Sequence, residues 1–199
     1  MLICFFYSIS VEVSAQDTVL TSYPNTDQPW EKIYEDGKRI AENIYHENNS
    51  PWMTVRYDSK SAENWKWYYD NGMPYFQGTI INNLLQGEYK MWYENGQLAE
   101  VLTFTEYFEN GPAQFYHSDG QVAMKGNYKD GKMMGKWQFF DEDGSLPSGP
   151  WKWVFAASHE HFRMEGNLVN GRPIGFWEYS TTANQGKSDQ LTFKHLLEL

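Results

Sequence analysis

The chain has 199 residues, a formal net charge of −10, an aromatic share of 18% and a single cysteine, Cys4. The acidic balance excludes binding to nucleic acid or to an anionic lipid surface unless the fold gathers a basic patch, because Lys and Arg are scattered along the chain. One cysteine excludes an internal disulfide.

The first fifteen residues form an apolar run that ends in Val13-Ser14-Ala15, a small-residue pattern typical of a signal-peptidase site. The run is too short to span a bilayer. We therefore expect residues 1–15 to be a signal peptide and the mature chain, from Gln16 onward, to be periplasmic or secreted. The alternative is that this segment is a first β-strand, which would leave the protein in the cytoplasm.

A short motif that ends in glycine, such as Tyr93-Glu94-Asn95-Gly96, recurs at a constant interval along the middle of the chain. The glycines that close the motif are Gly72, Gly96, Gly120 and Gly144. A fixed internal period is the signature of a repeat protein. Asn-Gly and Asp-Gly between apolar runs indicate hairpins, because a type I′ turn needs positive φ at both central residues. We predict tight hairpin turns at these glycines.

The segments before these turns alternate apolar and polar residues, as in Trp65-Lys66-Trp67. A period of two is typical of a half-buried strand and not of a helix. The return strands are predicted at residues 73–80, 97–104 and 121–128. The sequence thus predicts an all-β protein built from consecutive antiparallel hairpins.

A tighter motif runs from Gly126 to Trp137 and returns further along the chain, from Gly166 to Trp177. Its spacing, Gly-x4-Gly-x3-Gly-x-Trp, places further turn glycines at Gly131 and Gly171. This spacing, together with the Tyr-Glu-Asn-Gly turns, resembles the bacterial variant of the MORN repeat. The resemblance covers residues 30–179.

The resemblance implies an elongated, twisted antiparallel sheet of tandem β-hairpin repeats, each of about 24 residues, used for binding or scaffolding. Some bacterial proteins that carry this repeat are labelled antitoxins of toxin-antitoxin pairs. Because repeat stacks need covered ends, we expect residues 16–29 to be an N-terminal cap and residues 180–199 a C-terminal cap or tail.

Two irregularities interrupt the pattern. Gly37 stands one and a half periods before Gly72 instead of a whole number, which predicts that half a unit is inserted in residues 48–61. Asn83 and Tyr107 stand where the motif has its middle glycine, which predicts looser turns at these two positions.

The alternation also predicts an aromatic surface. If Trp65, Trp67 and their equivalents fill one face, the residue that follows them in each unit points to the other face. These residues form an aromatic ladder: Tyr68, Trp92, Tyr116 and Phe140. One hairpin per unit spaces the rings by roughly 10 Å, which suits a partner surface, an extended peptide or alternate sugars of a glycan. The alternative is that the tails or a second sheet bury the ladder as core.

Residues that could carry chemistry are few. His159 and His161 would lie on one side of a strand, as metal ligands sometimes do, but no second Cys/His pair accompanies them. The sequence Asp141-Glu142-Asp143-Gly144 lacks the spacing of a calcium loop. No nucleophile motif is present in the sequence. We expect no catalytic residues and no cofactor, and a metal-dependent enzyme is the alternative at the two histidines.

The sequence therefore predicts a non-catalytic protein of the bacterial envelope that binds or scaffolds an unidentified protein partner. Two alternatives are the neutralisation of a toxin partner and the binding of envelope glycan through the aromatic ladder. Nucleic acid and an integral membrane span are not expected.

Overall fold

A computed structural model describes the following residues of the chain: 16–24, 26–58, 62–156, 161–181 and 189–192. Within these ranges all regular secondary structure is β, which confirms the predicted fold class. The strands are β1 (Gln16–Ser22), β2 (Pro29–Glu35), β3 (Lys38–Tyr45), β4 (Pro51–Tyr57), β5 (Ala62–Tyr68), β6 (Pro74–Ile81), β7 (Leu84–Trp92), β8 (Leu98–Thr105), β9 (Phe108–Glu109), β10 (Gly111–Tyr116), β11 (Val122–Lys129), β12 (Lys132–Phe139), β13 (Gly149–Ala156), β14 (His161–Val169), β15 (Arg172–Thr181) and β16 (Asp189–Thr192).

Strands β1 to β12 form one 12-stranded antiparallel sheet. The strands follow one another in chain order, with β8 next to β10 and the short β9 paired with β8. Nearly every connection is therefore a hairpin, as predicted. The remaining strands, β13 to β16, form a separate four-stranded antiparallel sheet, also in chain order. We refer to them as the larger sheet and the second sheet.

Two kinds of turn alternate along the larger sheet, and the first kind contains the predicted glycines. In residues 69–73, Gly72 N donates to Tyr69 O at 2.8 Å, and φ is 82° at Gly72. Asn71 does not have positive φ, so this is a type I turn followed by a left-handed glycine. The type I′ prediction was wrong here, because the connecting loop is longer than two residues. The same turn recurs at Gly96, Gly120 and Gly144.

The second kind of turn is the type I′ turn, with positive φ at both central residues. In the larger sheet it occurs at Asp36-Gly37, Asn82-Asn83, Glu106-Tyr107 and Asp130-Gly131, and in the second sheet at Asn170-Gly171. The looser turns predicted at Asn83 and Tyr107 are therefore wrong. A two-residue connection between paired strands requires the left-handed conformation whatever residue stands there, and Tyr107 adopts it with a φ of 72°.

The half unit predicted as an insertion in residues 48–61 is also wrong. Residues 46–50 form a regular turn of the first kind, in which Asn49 takes the glycine position with a φ of 64°. The spacing from Asn49 to Gly72 is one residue shorter than the spacing from Gly72 to Gly96. Gly37 belongs to the type I′ turns, so its distance from Gly72 compares two different kinds of turn.

The larger of two clusters of core residues lies between the two sheets, on what we call the inner face of the larger sheet. Strand β13 of the second sheet supplies three buried aromatic rings to it. The ring pairs are Trp151 with Phe139 (5.0 Å between centroids), Trp153 with Phe115 (5.4 Å) and Phe155 with Tyr93 (5.3 Å). Because the three partners belong to successive hairpins, β13 crosses the strands of the larger sheet.

Two glycines of the tight motif make room for tryptophan in this core. A Cβ atom on Gly126 would lie 2.2 Å from the ring of Trp137, and one on Gly166 would lie 2.3 Å from the ring of Trp177. Both indoles are buried. The first glycine and the last tryptophan of Gly-x4-Gly-x3-Gly-x-Trp are thus a packing pair across a hairpin.

The ends of the chain are described in part. Strand β1 pairs with β2 along its length, and its residues are exposed; β16 pairs with β15. Residues 1–15, the predicted signal peptide, lie outside the described residues, as does most of the tail 180–199. The two caps, at residues 16–29 and 180–199, stay predictions.

Candidate functional site: the outer face of the larger sheet

The aromatic ladder lies on the face of the larger sheet that is turned away from the second sheet, which we call the outer face. Its four rings, Tyr68, Trp92, Tyr116 and Phe140, are half-buried. The second sheet packs on the opposite, inner face, against residues such as Phe115 and Phe139. It therefore does not cover the ladder.

Side chains from the preceding repeat hold the backbone of the ladder residues. Tyr69 donates its hydroxyl to Trp92 O at 2.7 Å, and Tyr93 donates to Tyr116 O at 2.6 Å. One repeat later, His117 Nε2 makes the equivalent bond to a ladder carbonyl at 3.0 Å. Three of the four ladder positions, Trp92, Tyr116 and Phe140, are thus tied to the first residue of the turn before them.

Asparagine makes a second set of bonds between successive turns. Asn71 Oδ1 accepts from Met73 N at 2.9 Å, which closes its own turn, while its Nδ2 donates to Glu94 O of the next turn at 3.0 Å. Asn95 repeats the second bond, donating to Ser118 O at 2.8 Å. These bonds fix the spacing of neighbouring hairpins, so the ladder is a rigid surface and not a set of independent rings.

Aliphatic residues fill the spaces between the ladder rings. The ladder residues pair directly with residues of the return strands: Tyr68 with Pro74, Trp92 with Leu98 and Tyr116 with Val122. Partners in an antiparallel pair project to the same face. The outer face therefore carries a continuous apolar stripe in which aromatic and aliphatic side chains alternate.

A row of residues, polar except for Val101, runs beside this stripe, two positions before each ladder residue and three positions after its partner on the return strand. We call it the lysine row; it consists of Lys66, Gln77, Lys90, Val101, Gln114, Lys125 and Gln138, paired in that order across the sheet. Lys66 Nζ lies 5.4 Å from the ring of Tyr68, and Lys125 Nζ lies 5.2 Å from the ring of Phe140. These are cation–π distances, so the row and the ladder form one surface.

The fold gathers positive charge on this face although the chain is acidic. Alternation along β11 and β12 places three more exposed lysines on the outer face: Lys129, Lys132 and Lys136. Glu88, on the same face, is paired with Lys90 Nζ at 2.5 Å. The acids concentrate instead in turns of the first kind, as at Asp70, Glu94 and Asp119. The outer face therefore carries six lysines, and it also carries the carboxylates of Glu31 and Glu88.

The ladder continues one repeat earlier at Tyr45, which sequence reasoning missed. Tyr45 pairs with Pro51 as Tyr68 pairs with Pro74, and the shared Tyr-x5-Pro spacing was the signal. The Tyr45 hydroxyl donates to Glu31 Oε2 at 2.6 Å. Burial and this carboxylate raise the pKa of Tyr45 to about 12. The hydroxyl therefore stays protonated, and remains a donor to Glu31, to a higher pH than in a free tyrosine.

The metal site predicted at the two histidines falls largely outside the described residues. His159 lies outside the described residues, and of His161 only the backbone is described. Among the described residues, no three His, Cys, Asp or Glu side chains come together as metal ligands would. In the same part of the chain, no helix has the length and hydropathy needed to cross a bilayer.

Comparison with known families bears on this repeated surface. Three tandem segments, residues 64–82, 85–106 and 109–130, match the family described as "MORN repeat variant". These segments are MORN repeats. They span β5 to β11 and so contain three of the four ladder positions, Tyr68, Trp92 and Tyr116, and all of the lysine row except Gln138. MORN repeats are generally non-catalytic modules that bind proteins or membranes. No curated protein matches the chain.

Proposed function

We propose that this protein is a non-catalytic binding module whose outer face docks an acidic segment of a partner protein. The observation that carries the proposal is the apolar stripe flanked by the lysine row, in a chain whose net charge is −10. Aromatic rings are the preferred anchors at the centre of protein interfaces, while charges beside them select the partner. Carboxylates of the partner would face Lys66 and Lys125.

The stripe favours a peptide over a glycan. Pro74, Leu98 and Val122 lie between the rings and carry no side-chain groups that donate or accept hydrogen bonds. Sugar hydroxyls placed over them would lose water without gaining a partner, at a cost of about 1–3 kcal/mol for each buried group. Apolar side chains of a peptide carry no such penalty.

The experiment begins with a photo-reactive phenylalanine derivative in place of Trp92, cross-linked in an extract of the cells that contain the protein. The cross-linked segment is then identified, synthesised and titrated against the purified chain. We expect a segment rich in Asp or Glu. Trp92→Ala should weaken its binding at least tenfold, and Lys125→Glu should weaken it and reduce its dependence on salt.

Matched controls separate the face from general effects. Phe176→Ala removes a ring that is 69% exposed on the second sheet, and Lys152→Glu makes the same charge reversal on that sheet. Both should leave the affinity within twofold. Equal losses in the controls, or preferential binding of the protein to polysaccharide, anionic vesicles or DNA, would contradict an acidic protein partner.

We also propose that the protein works in the cell envelope, supported by the apolar run in residues 1–15. N-terminal sequencing of the protein from its native cells tests this, and a mature chain that begins at Gln16 is the expected result. Neutralisation of a toxin is a narrower form of protein binding. Its support is the acidic net charge, which would favour a basic toxin, whereas the outer face favours an acidic partner.

A further inference from the structure

Strand β1 forms one edge of the larger sheet. Among the described residues it pairs with β2 alone, over all seven of its residues and without a bulge. All seven residues are exposed, including the apolar Val19 and Leu20 at the centre of the strand. Asp17 is the only charged residue of the strand. An edge that is long, regular and nearly uncharged is a template on which a further strand can pair.

The other sheet edges that the structure describes are protected against such pairing. At the opposite edge of the larger sheet, β12 carries the exposed Lys132 and Lys136, and a bulge interrupts its pairing with β11. In the second sheet, β13 carries Pro150 and Lys152, and β16 has only four residues. Lysine, proline, bulges and short strands are the usual devices against edge-to-edge association. Strand β1 has none of them.

The turn between β1 and β2 shows which backbone groups of β1 point to the open edge. Tyr23 N donates to Gln28 O at 2.9 Å, so these two residues continue the register of the hairpin as a hydrogen-bonded pair. Hydrogen-bonded and non-hydrogen-bonded pairs alternate along antiparallel strands. The odd-numbered residues of β1 therefore bond to β2, and the even-numbered residues direct their N–H and C=O groups to the open edge. The even-numbered residues are Gln16, Thr18, Leu20 and Ser22.

We infer that β1 pairs with β1 of a second copy of this chain, antiparallel and about a two-fold axis at Val19. In this register Thr18 faces the partner's Leu20 and Gln16 faces the partner's Ser22, so that every residue directed to the open edge meets another such residue. A shift of one residue would set these residues against those that bond to β2, and a shift of two would shorten the pairing. The inference does not depend on the proposed function.

The side chains fit the same register. Val19 meets the partner's Val19 on the axis as a non-hydrogen-bonded pair, the arrangement that brings β-branched side chains closest. Asp17 faces the partner's Thr21, whose hydroxyl can donate to the carboxylate. The two Asp17 carboxylates lie four residues apart along the strands, about 13 Å, which exceeds the screening length at physiological salt.

The symmetry of the contact also limits the size of the assembly. Both copies use the same surface, so the contact closes as a dimer and does not propagate. The two ends of the joined sheet would be the two β12 edges, which Lys132, Lys136 and the bulge protect. Pairing of β1 with β12 would instead give an open fibre, and the same devices oppose it.

The test uses the protein expressed from its complete gene in its own cells, so that it carries the N-terminus that it has there. Sedimentation velocity over a range of protein concentrations should show a monomer–dimer equilibrium. Leu20→Pro removes an N–H donor from the open edge and none from the pairing with β2, so it should weaken the dimer at least tenfold. Leu20→Ala keeps the N–H and should weaken the dimer less than threefold. A monomer at every concentration, or a dimer that Leu20→Pro leaves unchanged, would overturn the inference.

Cysteine substitutions test the register and do not require the proline variant to fold. In a Cys4→Ser background, Val19→Cys places two thiols on the axis, where the Cα–Cα distance of about 4.5 Å is within the range of a disulfide. Mild oxidation should link these chains into dimers, while Thr21→Cys, away from the axis, should cross-link at least tenfold more slowly. Equal cross-linking at the two positions would overturn the inference. So would a dimer that forms only after residues 1–15 are removed, because that segment of the same chain would then occupy the edge.

Discussion

Replacing Gly126 with alanine tests the packing pair in the tight motif. The new Cβ would lie 2.2 Å from the Trp137 ring, whereas ordinary carbon contacts are about 3.5–4 Å. The ring cannot retreat easily, because it is buried against Tyr128 at 5.2 Å and Phe115 at 6.3 Å. Overpacking of this kind costs about 1–3 kcal/mol, and the short contact places Gly126→Ala near the upper end.

Alanine also stabilises the protein by restricting the unfolded chain, which offsets part of this loss. Gly126 does not have positive φ, so alanine is compatible with its backbone and stabilises by about 0.4–1 kcal/mol through the unfolded chain. The net loss in the free energy of unfolding is therefore about 2 kcal/mol, which corresponds to a fall in Tm of about 4–8 °C for a chain of this size. Urea unfolding followed by circular dichroism measures it.

A double-mutant cycle identifies the cause. In a Trp137→Leu background the ring is gone, so Gly126→Ala should be neutral or stabilising, and the coupling between the two positions should be about 2 kcal/mol. Gly78→Ala is the matched control. Its Cβ would meet the end of the Leu85 side chain at 3.0 Å and Tyr89 Cδ2 at an ordinary contact distance of 3.5 Å, so it should cost under about 1 kcal/mol. A Gly126→Ala protein as stable as the wild type, or the same loss without the tryptophan, would refute the packing argument.

Two further predictions concern stability. Tyr93→Phe removes the hydroxyl bond to Tyr116 O, but that carbonyl keeps the Trp153 indole, so the loss at pH 7 should be about 0.5–1.5 kcal/mol by urea unfolding. Burial raises the pKa of Tyr93 to about 12 from a usual 10, so the neutral phenol stabilises the fold fully below pH 10, and this contribution falls as the pH rises to 12. Tyr93→Phe should therefore reduce the loss of stability at alkaline pH. An unchanged pH profile would show that another group causes that loss. Tyr107→Asn should raise the free energy of unfolding by about 0.5–1 kcal/mol, because asparagine tolerates the left-handed backbone with a φ of 72° better than tyrosine does. A lower free energy of unfolding would mean that the contacts of the Tyr107 ring, which is 53% exposed, outweigh the backbone strain.

The hairpin order could be predicted from the sequence because turn residues and period-two strands are local signals. The constant spacing of Gly72, Gly96 and Gly120 needs no knowledge of tertiary contacts. The turn types could not be told apart in this way, since both kinds use Asn-Gly or Asp-Gly, and loop length alone separates them. That ambiguity produced the false insertion near Asn49, where asparagine replaces glycine.

The composition of the outer face follows from alternation, but its charge does not follow from the order of residues. Lys66, Lys90 and Lys125 are far apart in sequence and come to lie in one row only through the register of six paired strands. The second sheet was missed for a similar reason. Gly149 to Ala156 reads as one more strand of the repeat, and only long-range contacts direct its rings across the inner face.

The alternation of side chains also sets which changes of length the gene can tolerate. Deleting one residue within β7 would exchange Lys90 for a core residue and bring Met91 to the surface, reversing both faces of that strand at once. A residue can be gained or lost between units at far less cost. One such case is the step from Asn49 to Gly72, which is one residue shorter than the step from Gly72 to Gly96. Insertions that preserve function should therefore fall in the connections between strands, and growth or shrinkage by a whole hairpin should lengthen or shorten the ladder while leaving its spacing intact.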